Sequence, residues 1–324
     1  MKRWKGYFLL GVLLLMACVV GIWFLNSGWE TKDTQVHQLS YVYRGGIPEE
    51  SQQAVKQGLE QASNDFKVEI TTVAPNDKSS VLEQLELIEK EVKNGADAIL
   101  IEPIKNPEIE MKLQEIEQKV PVIEVNSAVS DKKQKEGNRI RIDNYEMGQK
   151  LGHVILKRVK PGEQVVLLKS DMEYTDVEEQ YKGVSDVLTK QGIAIEERSC
   201  IGEEREREMK IQSMMHKGNV NYVVAFDSTN LELLGKVKKE NVAFKNILIY
   251  GMGRTNQIIA YIEEGTLQAI GVSNEYSVGY LSAQKAVQQI REQDTQENEI
   301  GFSIIEKDNL YTTENQRLLF PFVQ

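Results

Sequence analysis

Six short, nearly continuous apolar runs recur along the chain, each ending abruptly in polar residues and giving way to the spacing of an amphipathic helix. They occupy residues 98–103 (AILIEP), 121–127 (PVIEVNS), 165–171 (VVLLKSD), 222–228 (YVVAFDS), 247–254 (ILIYGMGR) and 267–274 (LQAIGVSN). Strands that are apolar throughout, rather than at alternate positions, are buried on both faces. Their alternation with helices predicts a parallel sheet covered on both sides. In such sheets ligands bind beyond the carboxyl ends of the strands, so the polar tips are also candidate binding positions.

The remaining elements keep the same rhythm. A strand over 39–43 ends in Arg44–Gly45–Gly46, and Pro48 opens a helix to about residue 65, proline being tolerated in a first turn. A strand over 68–73 and a helix over 79–94 stopped by Gly95 follow, then helices over 106–119 and 145–159 on either side of a charged loop at 130–138 and a short strand at 139–142. The second half predicts helices over 176–191, 203–216, 230–240, 255–264 and 276–292, with a further strand over 193–198 and a late strand over 301–307 before a closing segment to residue 324. Two successive β-α series result, each about the size of one domain.

Composition narrows the function classes. A chain of 324 residues with a net charge of −10 and no cationic stripe beyond its first residues argues against a nucleic-acid surface. Cys18 lies in an apolar segment, which leaves Cys200 without a disulfide partner, and His37, His153 and His216 are too dispersed for a zinc site. No metal or cofactor is expected.

Lys2, Arg3 and Lys5 precede an uncharged apolar run over 7–25, close to the roughly 20 residues of a membrane-spanning helix. The basic flank predicts a cytoplasmic N-terminus and a body outside the cytoplasm. An uncleaved anchor fits the length of the run. A lipoprotein signal is the alternative suggested by residues 15–18 (LMAC), although the chain stays apolar after Cys18, and a cleaved signal fits least well. Residues 26–36 form a polar spacer.

From about residue 37 to 311 the segments 95–103 (GADAILIEP), 120–126 (VPVIEVN), 141–152 (RIDNYEMGQKLG), 180–188 (QYKGVSDVL), 222–235 (YVVAFDSTNLELLG), 249–254 (IYGMGR), 264–272 (EGTLQAIGV) and 304–309 (IIEKDN) occur in an order and spacing that resembles the type 1 periplasmic binding proteins, in the branch of the ribose- and galactose-binding proteins. The resemblance implies two doubly wound lobes joined by three crossings, near Ile142–Asp143, Ser273–Asn274 and Ile305–Glu306. The first lobe then holds 37–142 and 274–304, and the second 143–273 and 305–324. Ligand is expected between them, captured by hinge closure.

Carried onto this sequence, the resemblance makes Asp227 a polar ligand contact, although capping of a helix from Asn230 by Ser228 or Thr229 accounts for the same polar cluster. Arg254 stands beside Gly253, where the family commonly has an aspartate, and is a candidate to replace it. Asn126 and Ser127 occupy the place of the family's Asp–Arg pair, and Gln180 that of a sugar-clamping arginine. Asp143, Ser273 and Asn274 lie at crossings, where they touch ligand or set the geometry. Tyr43, Arg44, Glu173 and Tyr174 are rim candidates, tyrosine being able to stack on a sugar face. The neutral Asn126, Gln180 and Gly253 remove much of the charged sugar clamp, whereas Arg44 and Arg254 suit a carboxylate or phosphate. The expected ligand is therefore a neutral sugar or polyol first and an anionic sugar derivative second.

Enzyme readings fare poorly. The Gly251–Met252–Gly253 turn has Asn256 where a dinucleotide loop needs its third glycine, and no serine sits in a nucleophile elbow. Two classes of function remain: the solute-capturing subunit of an ABC-type importer, with a membrane permease as partner, or a membrane-tethered sensor reporting to a partner such as a histidine kinase.

Overall fold

The computed structural model describes residues 36–320 except 46–48, 78, 130–137, 161, 171, 218 and 294–299. The expected anchor over 7–25, the lipoprotein signal at Cys18, Pro48, Asp171 and nearly all of the charged loop at 130–138 lie outside the described residues. Among the described residues no helix is long and apolar enough to cross a membrane.

The first half of the chain runs β1 (Gln38–Val42), α1 (Glu49–Phe66), β2 (Glu69–Val73), α2 (Val81–Lys93), β3 (Ala98–Ile101), α3 (Pro107–Ile116), β4 (Val122–Val125) and β5 (Arg139–Ile140). Its strands form a five-stranded parallel sheet in the order β2-β1-β3-β4-β5. The second half runs α4 (Asn144–Leu156), β6 (Gln164–Lys169), α5 (Thr175–Lys190), β7 (Ala194–Ser199), α6 (Glu204–Met215), β8 (Tyr222–Ala225), α7 (Ser228–Glu240), β9 (Leu248–Met252), α8 (Asn256–Glu264), β10 (Ala269–Ser273), α9 (Glu275–Ile290), β11 (Phe302–Glu306) and α10 (Thr313–Leu319). Its sheet has the order β11-β10-β9-β8-β6-β7, parallel except for the β10–β11 pair.

The apolar runs become strands because each sheet is covered twice. On β3, Ala98 and Leu100 pack into one core and Ile99 and Ile101 into another. On β6, Val166 and Leu168 face one core while Val165 and Leu167 face its opposite. A period of two therefore buries every residue, and the runs show no polar alternation.

Two close helix pairs flank the space between the sheets. α1 packs on α9, which belongs to the first lobe: a Cβ on Gly58 would lie 2.1 Å from the Tyr276 carbonyl oxygen, and one on Gly279 2.1 Å from that of Val55. α4 packs on α5 in the same way, with Gly148 against the Gln180 carbonyl and Gly183 against the Tyr145 carbonyl, each at 2.3 Å. These glycines let the helices approach to backbone contact and thereby fix the side chains at their cleft ends.

The chain passes between the lobes between β5 and α4, between β10 and α9, and again after α9. The Asn274 N–H donates to the Gly301 carbonyl at 3.0 Å and ties the last two crossings together. The whole of β11 pairs with β10, from Ser273↔Phe302 to Ala269↔Glu306. Residues 302–304, expected in the first lobe, thus lie in the second sheet, and the third crossing precedes the expected Ile305–Glu306. Cys200 is buried, its Sγ 3.2 Å from Asn230 Oδ1, and burial pushes its thiol up to about 11, the behaviour of a packed and unreactive cysteine.

Candidate ligand-binding site

Between the lobes, the strand tips and the four close-packed helices enclose a cavity of about 140 Å³. Phe226, Met252, Met147, Val177, Val55 and Ile142 give it an apolar lining, and polar groups converge from both sides, the combination typical of a small-molecule site.

The first lobe contributes a connected polar wall. The Tyr41 hydroxyl, on β1, donates to Glu102 Oε1 at 2.5 Å, and Asn126 Nδ2 donates to the same oxygen at 3.3 Å. The Arg44 N–H donates to Glu102 Oε2 at 3.1 Å, and Gln52 Nε2 holds the Arg44 carbonyl at 3.0 Å. Burial, then the carboxylate of Glu102, raises the Tyr41 hydroxyl well above its ordinary pKa, so it stays a proton donor. Asn126 adopts a left-handed φ of 57° just past β4, which asparagine tolerates better than most residues.

On the second lobe Gln180 Nε2 donates to Asn144 Oδ1 at 2.8 Å, and both side chains are buried. Asp227 is the N-cap of α7: Oδ1 accepts from the Asn230 N–H at 2.8 Å, while Oδ2 accepts from Ser170 Oγ at 2.5 Å and Asn230 Nδ2 at 2.8 Å. The cap is therefore Asp227 itself, not Ser228 or Thr229, and its carboxylate is largely committed to its own lobe. Gly253 has φ 128°, and a Cβ there would lie 2.3 Å from Ser228 Oγ. An aspartate in this conformation would meet both that hydroxyl and a φ that L side chains rarely adopt.

Two arginine–carboxylate pairs cross the cleft with opposite polarity. Arg44 of the first lobe reaches Asp176 of the second at 2.6 Å, with its guanidinium 3.7 Å from the Tyr174 ring centroid. Arg254 of the second lobe lies 4.0 Å from Glu275 of the first, and its Nε donates to the Leu319 carbonyl at 2.8 Å. Glu275 Oε2 is buried without a hydrogen-bond partner among the described residues. Burial, with Glu102 adding to it and Arg254 opposing, pushes the Glu275 carboxyl up to about 7.

Of the expected site residues, Arg44, Asn126, Gln180, Asp227, Arg254 and Ser273 line this cavity, and Tyr43, Ser127, Asp143, Glu173 and Tyr174 do not. Tyr43 instead stacks on Tyr41 with ring centroids 5.8 Å apart and packs against the first-lobe core. Asp143 is exposed and caps α4 by accepting from the Glu146 N–H at 2.7 Å. The other three join the lobes directly. Ser127 Oγ lies 3.2 Å from Thr175 Oγ1 and accepts from the Thr175 N–H at 3.0 Å, while Thr175 Oγ1 accepts from the Ala128 N–H at 2.7 Å. Glu173 accepts from Ser79 Oγ at 2.6 Å through its side chain and from the Lys105 N–H at 2.8 Å through its carbonyl. Tyr174 is fully buried beneath Arg44.

The residues that sequence reasoning missed share a position. Asn144 follows the cap Asp143, Glu275 follows the cap Asn274, and Ser228 follows the cap Asp227; all three line the cavity. A cap side chain turns back onto its own helix, and the next residue is left facing the cleft. Glu102 was legible as a polar strand tip. Asp176 became visible only through its partner in the other lobe.

Residues 47–294 match a family described as a periplasmic binding protein domain. The chain belongs to this family. Its fold is shared with solved members at low sequence identity. An ABC transporter solute-binding protein from Agrobacterium vitis with bound D-fucose is 16% identical, with a TM-score of 0.80 over 87% of this chain and all of that one. GanP, a glucose-galactose binding protein from Geobacillus stearothermophilus, is 17% identical, with a TM-score of 0.76 over 86% of this chain and 100% of its own. XylFII, in a complex with LytSN, is 17% identical, with a TM-score of 0.74 over 85% of this chain and 99% of that one. No curated protein matches the sequence. The family, GanP and the D-fucose-bound protein are binding proteins, not enzymes. In this periplasmic binding protein domain the cavity lies between the two lobes, lined by residues of both.

Proposed function

We propose that this chain captures a neutral, sugar-like molecule between its lobes by hinge closure, outside the cytoplasm, and presents it to the membrane permease of an ABC-type importer. The carrying observation is the state of the two cleft arginines. Arg44 is held by Asp176 at 2.6 Å, and Arg254 has its Nε on the Leu319 carbonyl with the Glu275 carboxyl 4.0 Å from Nη1, so an anion would compete with a carboxyl group at each arginine. Four carboxylates (Glu102, Asp176, Asp227, Glu275) share the lining with three cations (Arg44, Lys56, Arg254), which disfavours an anionic ligand. The apolar lining suits the C–H face of a sugar, and the fucose- and galactose-binding neighbours support the same class.

Scanning fluorimetry of the full chain against D-fucose, D-galactose, D-glucose, D-arabinose and the corresponding uronic acids tests this. A neutral sugar is expected to raise the melting midpoint by mass action. A shift with uronic acids alone, or with none of these, contradicts it.

A second reading keeps the binding and removes the transport: a chain tethered through residues 7–25 that reports occupancy to a membrane partner such as a histidine kinase. The complex of the similarly folded XylFII with LytSN supports it as a case of this fold bound to another protein. Cross-linking in native membranes, followed by mass spectrometry, separates the two by whether a permease or a kinase is captured. Alkaline-carbonate extraction together with lipid labelling at Cys18 distinguishes an uncleaved anchor from a lipoprotein.

A further inference from the structure

We propose that Glu275 determines specificity in this cleft by accepting a hydrogen bond from a ligand hydroxyl, so that the site selects a neutral sugar over one bearing a carboxylate. The inference rests on the sugar-binding reading above and names the group that enforces it. Every other carboxylate in the lining has a hydrogen-bond partner in the protein: Glu102 in Tyr41, Asn126 and the Arg44 N–H, Asp176 in Arg44, and Asp227 in Ser170 and Asn230. Glu275 has a buried oxygen that accepts nothing from the described residues, and Arg254 Nη1, at 4.0 Å, is beyond hydrogen-bond reach. A buried acceptor left unmet is costly, and a ligand hydroxyl placed there removes the cost, which makes a site of this kind discriminating.

The surroundings give the contact a proton signature. The charged and titratable groups facing Glu275 are Arg254 past β9, Glu102 past β3 and the Tyr41 hydroxyl on β1. Burial and Glu102 hold its carboxyl near pH 7, so an unliganded fraction carries a proton at neutrality. Donation from a ligand hydroxyl favours the ionised form, so binding expels that proton and affinity falls as the pH drops below 7. A ligand carboxylate would meet Glu275 and Glu102 together and be repelled.

The test is calorimetric titration of the full chain with whichever of D-fucose, D-galactose, D-glucose or D-arabinose shifts its melting. Titration near pH 7 in two buffers of different ionisation enthalpy should show net proton release, with affinity falling by up to tenfold per pH unit below 7. Glu275→Gln should abolish the release, flatten the profile and weaken binding about tenfold at pH 8. If that variant does not fold, the wild-type profile decides alone: a sloping one with proton release supports the role, a flat one overturns it. Sugar binding without proton linkage, or an unchanged profile in Glu275→Gln, overturns only the role of Glu275. Absence of sugar binding to the wild type overturns the sugar reading and this inference with it.

Discussion

Arg44 Nη2 and Asp176 Oδ1 meet at 2.6 Å across the cleft, although 132 positions separate them in sequence, and the Tyr174 ring lies against the guanidinium. The pair does two things at once: it joins the lobes, and it withdraws the first-lobe arginine from any anionic ligand. Because both side chains are largely buried, removing one partner leaves the other uncompensated. Asp176→Asn should weaken sugar binding by about tenfold. The double variant with Arg44→Gln should lose less than the sum of the single losses, since the two residues act as one unit. Calorimetric titration of the four proteins in the cycle checks both expectations.

The Ser127–Thr175 contact adds a buried polar seam between the lobes. Thr175→Val keeps the shape of the side chain but removes the acceptor for the Ala128 N–H and the partner of the Ser127 hydroxyl. The open form, where water meets these groups, is then favoured. Small-angle scattering should show a larger radius of gyration for the variant, with sugar restoring the compact form at a higher concentration than in the wild type. An unchanged radius and unchanged affinity would remove the seam from the closure account.

Glu275 also makes stability depend on pH in a defined direction. Its carboxyl is pushed up to about 7 in the fold from an ordinary 4.5, so the folded state holds the proton more tightly than the unfolded chain. Stability should therefore fall as the pH rises from 4.5 through 7, and the whole penalty is present above 7. Glu275→Gln removes the group that ionises, so it should raise the melting midpoint at pH 8 more than at pH 5, by up to about 3 kcal/mol in stability. Thermal melts of both proteins at the two pH values read this directly.

The close helix pairs predict where the frame is least tolerant. A Cβ at Gly279 would sit 2.1 Å from the Val55 carbonyl oxygen, a backbone atom that cannot rotate away. Gly279→Ala must part α1 from α9 and displace both Val55 and Glu275 at the cleft. A loss of about 1–3 kcal/mol in stability is expected from such overpacking. Urea denaturation should find Gly301→Ala far milder, because a Cβ there meets no atom within 4 Å and its φ is not in the left-handed region.

The architecture was legible in the sequence because burial on both faces of a sheet leaves so plain a trace: the run AILI of β3 and the run YVVA of β8 are strands without a polar interruption. The strand tips pointed to the cleft for the same reason. What sequence alone does not show is which polar tip is used up within its own lobe. Asp227 and Asp143 both serve as helix caps; Asp227 still borders the cavity, Asp143 does not, and the neighbouring Ser228 and Asn144 present further polar groups there. Nor does it show partners brought together by folding. Ser127 meets Thr175 and Glu173 meets Ser79 only once the two lobes stand face to face, so residues expected to touch ligand touch protein instead.

The most direct test of the account is calorimetric titration of the full chain with D-fucose, D-galactose, D-glucose and D-arabinose, with their uronic acids in parallel. One-to-one binding of at least one neutral sugar with a Kd of about a micromolar or tighter, and no heat from the acids, is the predicted result. Binding of the acids alone, or of no sugar at any concentration, would contradict it.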